Sequence, residues 1–548
     1  MKIRSDIIRM YRDIHSWVGI VCGLALFIAF YAGAITMFEA PLNRWASAPA
    51  VFEKHTPLEQ TPELIEKVLA EYPQVADRYE VTLDAGLADR PARVMWNVGP
   101  RGAATTYYAE LDDDGSLQVH SEGPSAVGQL VDDLHRQVGI LLDHDLVMPL
   151  VGIISLMYFV ALVSGVIVLL PTLVKDLFIL RVGKNLKRMW LDFHNALGLF
   201  SLPFHIIMAL TAVAFALHDQ FYATQWALLE KNGRPEAHEE SPVHQEALAP
   251  QQIVTRLREQ APEFTPLYLQ FHYEEAHGLE LLVSGTNPRH GSRAPHYGIA
   301  AVDPYTGDLT ETGYMPGEQD GWFATLTSFF SLHFGNFGGS PIRWGYLLLG
   351  LAGAVLFYTG NLLWIETHRK KRRKGYDQQP VRQTTASKVL GALTVGISLG
   401  CVAGISASIA AAKLLPLWTE QLKAWHIGIY YAVFFLATAW AFIRGAAKSS
   451  VELLYVSAVA TLLIPLVSLL SAVVPGVGWN HGGSGYLIDL VAVAGALCCV
   501  VLARKTSARI HRGAPQDSIW FVGIEEKVQP AEAPQPETEQ DKGISSPA

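Results

Sequence analysis

The segment MWLDFHNALGLFSLPFHIIMAL, residues 189–210, has the length and apolar content of a membrane-spanning helix, yet it contains His194 and His205. A span needs about 20 predominantly apolar residues to cross a hydrocarbon core of about 30 Å. Ionisable side chains at that depth are costly, and by default they mark a functional site. The segment therefore predicts a helical membrane protein whose function involves histidine.

The composition of the whole chain agrees with a membrane protein. Half of the 548 residues are hydrophobic, 17% are charged, and the formal net charge is −9. That balance is too apolar for an ordinary soluble protein of this length. The negative charge argues against a nucleic-acid partner. The four cysteines lie in apolar runs and no CxxCH motif is present, so we expect any cofactor to be held non-covalently.

Eight apolar runs are long enough to cross a membrane, which predicts a polytopic α-helical protein with about eight spans. They lie at residues 16–38, 147–170, 195–217, 343–365, 388–411, 427–443, 451–474 and 484–503. The sequence ASAPA (46–50) after the first run imitates a signal-peptidase site. The apolar core before it, about 22 residues, is too long for a cleavable signal, so we expect an anchor.

Basic residues cluster at one side of these runs and predict the orientation of the chain. The basic segments are the N-terminus MKIRSDIIRMYR, the loop VKDLFILRVGKNLKR (174–188), HRKKRRKG (368–375) and ARKTSARIHR (503–512). We expect them in the cytoplasm, with residues 39–146 and 218–342 outside. The cytoplasmic tail, 504–548, ends in a stretch rich in Pro and Glu and is expected to be largely disordered.

The two outer segments share one pattern of secondary structure. Each begins with a short helical stretch, TPELIEKVLAEYP (61–73) or APQQIVTRLREQAP (249–262), and continues with alternating strand-like stretches. DPYTGDL (303–309) has the Asp, Pro and Gly of a turn between two strands. We expect two small α+β domains, each with one helix against a short antiparallel sheet.

The similarity extends into the membrane and forms an internal repeat. The matched stretches are RDIHSWVGI (12–20) with LDFHNALGL (191–199), DDLHRQVGI (132–140) with FSLHFGNFGG (330–339), and VSGVIVLLP (163–171) with YTGNLLWIE (358–366). Both copies start and end on the same side. They therefore predict parallel repeats related by an axis along the membrane normal.

The repeat also pairs the histidines. A two-fold axis brings equivalent positions face to face, so we expect His15 opposite His194 near the cytoplasmic surface. In the same way, we expect His135 opposite His333 near the outer surface. Two facing imidazoles suit the axial positions of a planar macrocycle. Zinc is less favoured, because no cysteine accompanies either pair to complete a tetrahedral site.

His205 is a separate candidate. On a straight helix it lies about 20° from the face of His194 and about 16 Å further along. Its counterpart in the first span is Leu26, so it has no symmetry mate. Two roles stay open for His205: ligand of a second haem deeper in the bilayer, or hydrogen-bond partner of a ligand or propionate.

Several of these stretches together resemble the PepSY-associated transmembrane proteins, which include iron-uptake factors and bacterial inner-membrane ferric-siderophore reductases. They are RDIHSWVGIVCGLALFIAFYAGAITMFE (12–39), LHRQVGI (134–140), DFHNALGLFSLPFH (192–205), LHFGNFGGSPIRWGYLLLGLAG (332–353) and AVDPYTGDL (301–309). The resemblance covers about residues 8–372. It implies a four-helix membrane core, formed by residues 1–38, 147–217 and 343–375, with two periplasmic PepSY domains.

The resemblance also implies a function and a cofactor. It implies one or two non-covalent haem b groups and electron transfer across the inner membrane to a ferric siderophore or other ferric chelate. The implied axial ligands are His15, His135, His194 and His333, with His205 as a further candidate. The electron donor, quinol or a separate reductase, stays open because the chain has no nucleotide-binding fingerprint.

Residues 388–503, the accessory module of spans five to eight, lie outside the resemblance and carry no matched histidine pair. An oligomerisation role, a quinone-access role or an unrelated one stays open for this module. Two other functions stay open for the whole chain. In the first, the outer domains bind peptides or regulate a protease. That function gives the histidine repeat no role. Alternatively, the histidines would relay protons in a transporter. A relay would favour acidic partners within the spans, and these are scarce: Glu39, Glu366 and Asp489 lie near or at span ends.

Overall fold

The computed structural model describes most of the chain. The described residues are 4–48, 52–84, 90–99, 104–122, 126–171, 173, 186–218, 220, 223, 247–274, 278–292, 297–370, 383–474, 476–479, 485–512 and 517–522. Most of the predicted cytoplasmic loop 174–188, the basic stretch beyond residue 370 and the predicted disordered end of the tail lie outside the described residues.

The described residues form thirteen α-helices, numbered here in chain order. They are α1 (Ser5–Thr36), α2 (Glu39–Ala46), α3 (Thr61–Glu71), α4 (Val127–Arg136), α5 (His144–Leu169), α6 (Leu186–Phe200), α7 (Leu202–Ala216), α8 (Pro250–Gln260), α9 (Gly321–Phe334), α10 (Gly339–Thr367), α11 (Thr385–Ala411), α12 (Leu422–Val473) and α13 (Tyr486–His511). Six of them, α1, α5, α10, α11, α12 and α13, are long and apolar enough to span a membrane, and the bent pair α6–α7 makes a seventh candidate. The chain is thus a multi-pass helical membrane protein.

Helix α12 is two helices joined at Gly445. Its 52 residues would extend about 78 Å if straight, more than twice the hydrocarbon thickness. Gly445 interrupts it with non-helical angles, φ 74° and ψ 156°. Contacts with α11 run antiparallel along the first half and parallel along the second: Ser408–His426 and Gly400–Phe434, then Leu399–Ser457 and Ser406–Thr461. The two halves are therefore antiparallel segments, which matches the sixth and seventh predicted spans.

The third predicted span is bent. Helices α6 and α7 meet at Ser201 at an angle of 70°. Pro203 lies in the first turn of α7, where its missing N–H and its restriction of Leu202 interrupt the helix. The prediction that His194 and His205 share one helical face is therefore wrong, because it assumed an unbroken helix.

The outer segments form one continuous antiparallel sheet, not two separate ones. Its strands are β1 (Arg78–Thr82), β2 (Val94–Val98), β3 (Thr105–Leu111), β4 (Leu117–Glu122), β5 (Thr265–Glu274), β6 (Gly278–Thr286), β7 (Gly298–Val302) and β8 (Leu309–Glu311). Their order is β4-β3-β2-β1-β5-β6-β7-β8. β1 pairs with β5 in a register centred on Glu80 and Gln270. The order is symmetric about this pair, so the pseudo-two-fold axis of the repeat passes between the two strands.

Both halves of the sheet share one apolar core. Leu64 of α3 and Ile253 of α8 are fully buried in it, together with Val81 of β1 and Leu269 of β5. Each half has one helix and four antiparallel strands, in line with the predicted pattern. The two halves join because pairing β1 with β5 satisfies backbone groups that two separate sheets would leave at exposed edges.

The accessory module packs against the first repeat. Phe27 and Ala32 of α1 share a buried apolar cluster with Cys401 and Ile405 of α11 and Tyr430 of α12. The same cluster includes buried residues of α2 and α4, which connect α1 to the sheet and the sheet to α5. The module therefore contacts the parts of the first repeat that lead into and out of the sheet.

Candidate functional site

The four repeat-matched histidines lie in the structure as two pairs. The ring centroids of His15 on α1 and His194 on α6 are 6.3 Å apart, with an interplanar angle of 71°. Those of His135 on α4 and His333 on α9 are 6.1 Å apart, at 37°. We call the first the distal pair, because it lies far from the sheet, and the second the sheet-side pair. Each histidine thus lies beside its counterpart in the other repeat.

The distal pair is held by hydrogen bonds from the two return helices. His15 Nδ1 lies 2.8 Å from the carbonyl oxygen of Ala161 on α5. His194 Nδ1 lies 3.1 Å from the hydroxyl oxygen of Thr359 on α10. Thr359 aligns with Ser164 of α5, whose hydroxyl bonds the same Ala161 carbonyl. The repeat therefore extends to the groups that orient the imidazoles.

The sheet-side pair is held in the same way by the two entry spans. His135 Nδ1 lies 2.8 Å from the carbonyl oxygen of Ala29 on α1. His333 Nδ1 lies 2.8 Å from the hydroxyl oxygen of Thr211 on α7. In both pairs, one imidazole contacts a backbone carbonyl and the other contacts a threonine.

These contacts determine which nitrogen of each ring carries the proton. A carbonyl oxygen only accepts hydrogen bonds. The Thr359 hydroxyl already donates to the Leu356 carbonyl, and the Thr211 hydroxyl to the Ile207 carbonyl, so both hydroxyls accept from histidine. All four Nδ1 atoms are therefore donors, and each neutral ring has its lone pair on Nε2. Metal-bound histidines commonly have this arrangement, with the non-ligating N–H hydrogen bonded to the protein.

Glycines let the imidazoles pack directly on the neighbouring spans. A Cβ atom built on Gly33 of α1 would lie 2.6 Å from His135 Nδ1. One built on Gly165 of α5 would lie 2.9 Å from His15 Cε1. Contacts this short do not occur for real Cβ atoms, so a larger residue at either position would displace the ring.

The separation within each pair fits two axial ligands of one metal ion. A metal–imidazole bond is about 2.0 Å long and the ring centroid lies about 1.1 Å beyond the nitrogen, so two trans imidazoles have centroids about 6.2 Å apart. Among the described residues, no three or more His, Cys, Asp or Glu side chains converge on one point.

His205 stands apart from both pairs. It is 1% exposed, and its Nδ1 lies 2.5 Å from the hydroxyl of Tyr158. Its Nε2 is buried without a hydrogen-bond partner. The rings beside it in the described chain are Phe30, Tyr158, Phe204 and Phe357. Within the described part of the chain, the rings that contact His205 are these aromatic ones, and none of them is a second imidazole.

The residues that orient the histidines were not assigned from the sequence. The repeat could have identified Thr359 as such a residue, because Thr359 precedes Gly360 as Ser164 precedes Gly165 in the matched return helices. The repeat gives no such signal for Thr211, since the equivalent residue of α1 is Ala32. The carbonyl acceptors have no side-chain signal at all.

Comparison with known proteins places the chain in a family. A search of the curated proteins finds no match. The family model described as the PepSY-associated TM region matches residues 12–367. That match spans more than half of the chain and includes both histidine pairs, His205 and the entire sheet. The chain belongs to the PepSY-associated transmembrane family.

Proposed function

We propose that each histidine pair holds one haem b, and that the chain carries electrons across the bacterial inner membrane to a ferric siderophore or other ferric chelate in the periplasm. The observation that carries the proposal is the geometry of the two pairs. The ring centroids are 6.3 and 6.1 Å apart, which leaves room for one metal ion between the rings, and the hydrogen bonds of all four rings would leave the Nε2 lone pairs to hold the iron of a haem.

The residues around each pair favour electron transfer over chemistry at the metal. Haem b bound here would supply one-electron redox chemistry. The two histidines of each pair would hold that haem, and bis-histidine ligation suits electron transfer. The hydrogen bonds to Nδ1 hold each ring in one orientation and increase the basicity of its Nε2.

The two pairs are spaced to bridge most of a bilayer. On α1, His15 belongs to the distal pair, and Ala29 accepts the hydrogen bond of the sheet-side pair. Fourteen residues of helix separate them, or about 21 Å. This compares with about 30 Å of hydrocarbon. Between these levels, the rings of Phe30, Tyr158 and Phe357 contact one another beside His205.

The sheet-side pair lies at the end of the spans from which the eight-stranded sheet extends. α4, which bears His135, directly follows β4, and the α9 residue Ser331 donates a hydrogen bond to Ser292 after β6. A ferric chelate is therefore expected to approach beside the sheet, at the end predicted to be periplasmic. Reduction there would release iron, because many siderophores bind Fe(II) far less tightly than Fe(III).

An absorption spectrum tests haem binding. The protein, produced with ample haem and purified from membranes, should show sharp haem b bands after dithionite reduction. His15→Ala and His135→Ala should each remove part of the signal. His368→Ala is the control, because His368 is exposed and has no counterpart in the repeat. A colourless wild-type protein would overturn the proposal.

Electron delivery needs a second measurement. Reduced protein, freed of dithionite under anaerobic conditions, is mixed with ferric hydroxamate, ferric catecholate and ferric citrate complexes, and the haem spectrum is followed. We expect reoxidation together with formation of Fe(II), trapped by a coloured chelator. If none of these complexes reoxidises the protein, the chelate-reductase assignment is rejected even where haem is bound.

A further inference from the structure

The turn after His135 has an unusual backbone. Val138 has φ 49° and Gly139 has φ 83°. Glycine adopts such angles readily, but for a β-branched residue they are an outlier that the surrounding structure must enforce. Val138 is also 4% exposed, so the strained residue is locked inside the protein.

The equivalent turn after His333 is built differently. Its positive φ angles fall on Gly335, Gly338 and Gly339, which adopt them at little cost. Asn336 of this turn donates a hydrogen bond of 2.8 Å to the carbonyl of Ser292, in the segment that follows β6. The second turn is thus glycine-based and tied to the sheet domain.

A tyrosine of the accessory module closes the first turn. The Tyr431 hydroxyl on α12 accepts a hydrogen bond of 2.9 Å from the backbone N–H of Leu141. The same hydroxyl donates one of 3.1 Å to the carbonyl of Gly139. One side chain from a distant part of the sequence therefore satisfies two backbone groups of the strained turn.

The accessory module also contacts α4 at two other places. Leu415 and Leu422 pack against Ala126, which precedes the helix. Lys423 lies 3.7 Å from Asp133, in the turn that contains His135. The module thus contacts α4 at its start, in its last helical turn and beyond its end.

Held in this way, α4 presents His135 to α1. The His135 ring packs on Gly33, and Ile28 of α1 packs against Gly139 of the strained turn. His135 and Val138 are three residues apart, so a change in the turn would move the ring relative to His333. We propose that the accessory module is a brace that positions His135, and that Tyr431 is its principal positioning residue.

This inference rests on the proposed function only for its consequence at the haem. The variant Tyr431→Phe removes one hydroxyl and keeps the ring. The matched control is Tyr430→Phe, because the neighbouring Tyr430 is fully buried and packs on Gly404 of α11. Both variants are made in the full chain and purified in the same detergent.

Hydrogen–deuterium exchange gives a readout that does not need haem. With Tyr431→Phe, we expect amides 134–142 to exchange about threefold to tenfold faster, the effect of losing one or two hydrogen bonds that close a local structure. Tyr430→Phe should leave this segment unchanged.

The electron paramagnetic resonance spectrum of the oxidised protein tests the consequence. Tyr431→Phe should shift the low-spin signal that His135→Ala abolishes, and leave the signal that His15→Ala abolishes. Unchanged exchange at 134–142, or an equal increase with Tyr430→Phe, would overturn the brace. A wild-type protein without haem would refute the proposed function, while the exchange data would still decide the role of Tyr431.

Discussion

His15 and His194 of the distal pair both lie on membrane spans, and their hydrogen-bond partners lie on the adjacent spans α5 and α10. His135 and His333 of the sheet-side pair lie on short helices that connect the sheet to the spans. One of these helices is held by the accessory module and the other is tied to the sheet. Two pairs with nearly equal separations thus depend on different parts of the molecule.

The comparison distinguishes a histidine pair whose contacts come from adjacent spans from a pair that also depends on segments distant in the sequence. The hydrogen-bond partners of the distal pair both lie in the four-helix core, at matched positions of the two return helices. The sheet-side pair takes its hydrogen bonds from the entry spans, and the turns beside it differ between the two copies. The accessory module contacts the turn after His135, and the sheet domain contacts the turn after His333. Perturbations of the sheet or of the accessory module should therefore affect one pair and spare the other.

The largest expected effect is loss of a ligand. His194→Ala should remove only the distal haem and His333→Ala only the sheet-side haem, so haem content should fall from about two to about one per chain in each case. The pyridine haemochrome assay, normalised to protein, measures this. Complete loss of haem from either single variant would show that the two sites are not independent.

Substitutions that place a side chain where an imidazole ring lies should lower haem content almost as much as loss of a ligand. Gly165→Leu should displace His15 and empty the distal site, and Gly33→Leu should displace His135 and empty the sheet-side site, because neither ring has room for a side chain at these positions. Haem content and the optical spectrum are the measurements. Gly428→Leu in the accessory module is the control, since Gly428 is exposed and a Cβ there meets nothing within 4 Å. Normal haem content in both test variants would contradict the packing described here.

Loss of an orienting hydroxyl should weaken binding without abolishing it. Thr359→Val and Thr211→Val each remove the acceptor of one histidine Nδ1–H, and haem affinity should fall about 10- to 100-fold at the affected site. Transfer of haem to apomyoglobin measures the affinity. Thr438→Val is the control, because the Thr438 hydroxyl donates to the Phe434 carbonyl of its own helix in the accessory module. An equal loss with Thr438→Val would rule out the orienting role of Thr359 and Thr211.

The smallest expected effect is at the ion pair of the brace. Lys423 and Asp133 are partly exposed, so Lys423→Gln should reduce stability by only about 0–1 kcal/mol. We expect slightly faster exchange in α4, and 1 M salt should have a similar effect on the wild type. The distal haem should not respond. If Lys423→Gln accelerated exchange in α4 more than Tyr431→Phe does, the ion pair and not the hydrogen-bonded turn would be the main contact that positions α4.

Several features of the site follow directly from the sequence. The repeat predicts which histidine lies beside which, because equivalent positions meet across a two-fold axis, and both pairs lie as expected. The bend in the third span also had a signal. Pro203 lies within the segment that contains His194 and His205, and its effect on a helix is local. If Pro203 is taken to interrupt the helix, the sequence predicts that His194 and His205 lie on two different helices.

Other features depend on contacts between distant segments. The pairing of β1 with β5 joins Glu80 to Gln270, and no pattern within either strand selects that partner. The hydrogen bond from Leu141 to the Tyr431 hydroxyl joins residues 290 positions apart. Tyr431 is one of 20 tyrosines in the chain and carries no motif. Sequence periodicity reports which face of an element is apolar, and it does not report which element covers that face.

By itself, the sequence determined the helical membrane class, the repeat and the matched histidines, since each depends on composition or on spacing along the chain. Only the tertiary structure decided that the two outer segments share one sheet, that His205 stands alone among aromatic rings and that the accessory module supports the turn after His135. These outcomes depend on which surfaces meet in three dimensions. Packing and hydrogen bonds between distant residues select one arrangement among several that are equally compatible with the local sequence pattern.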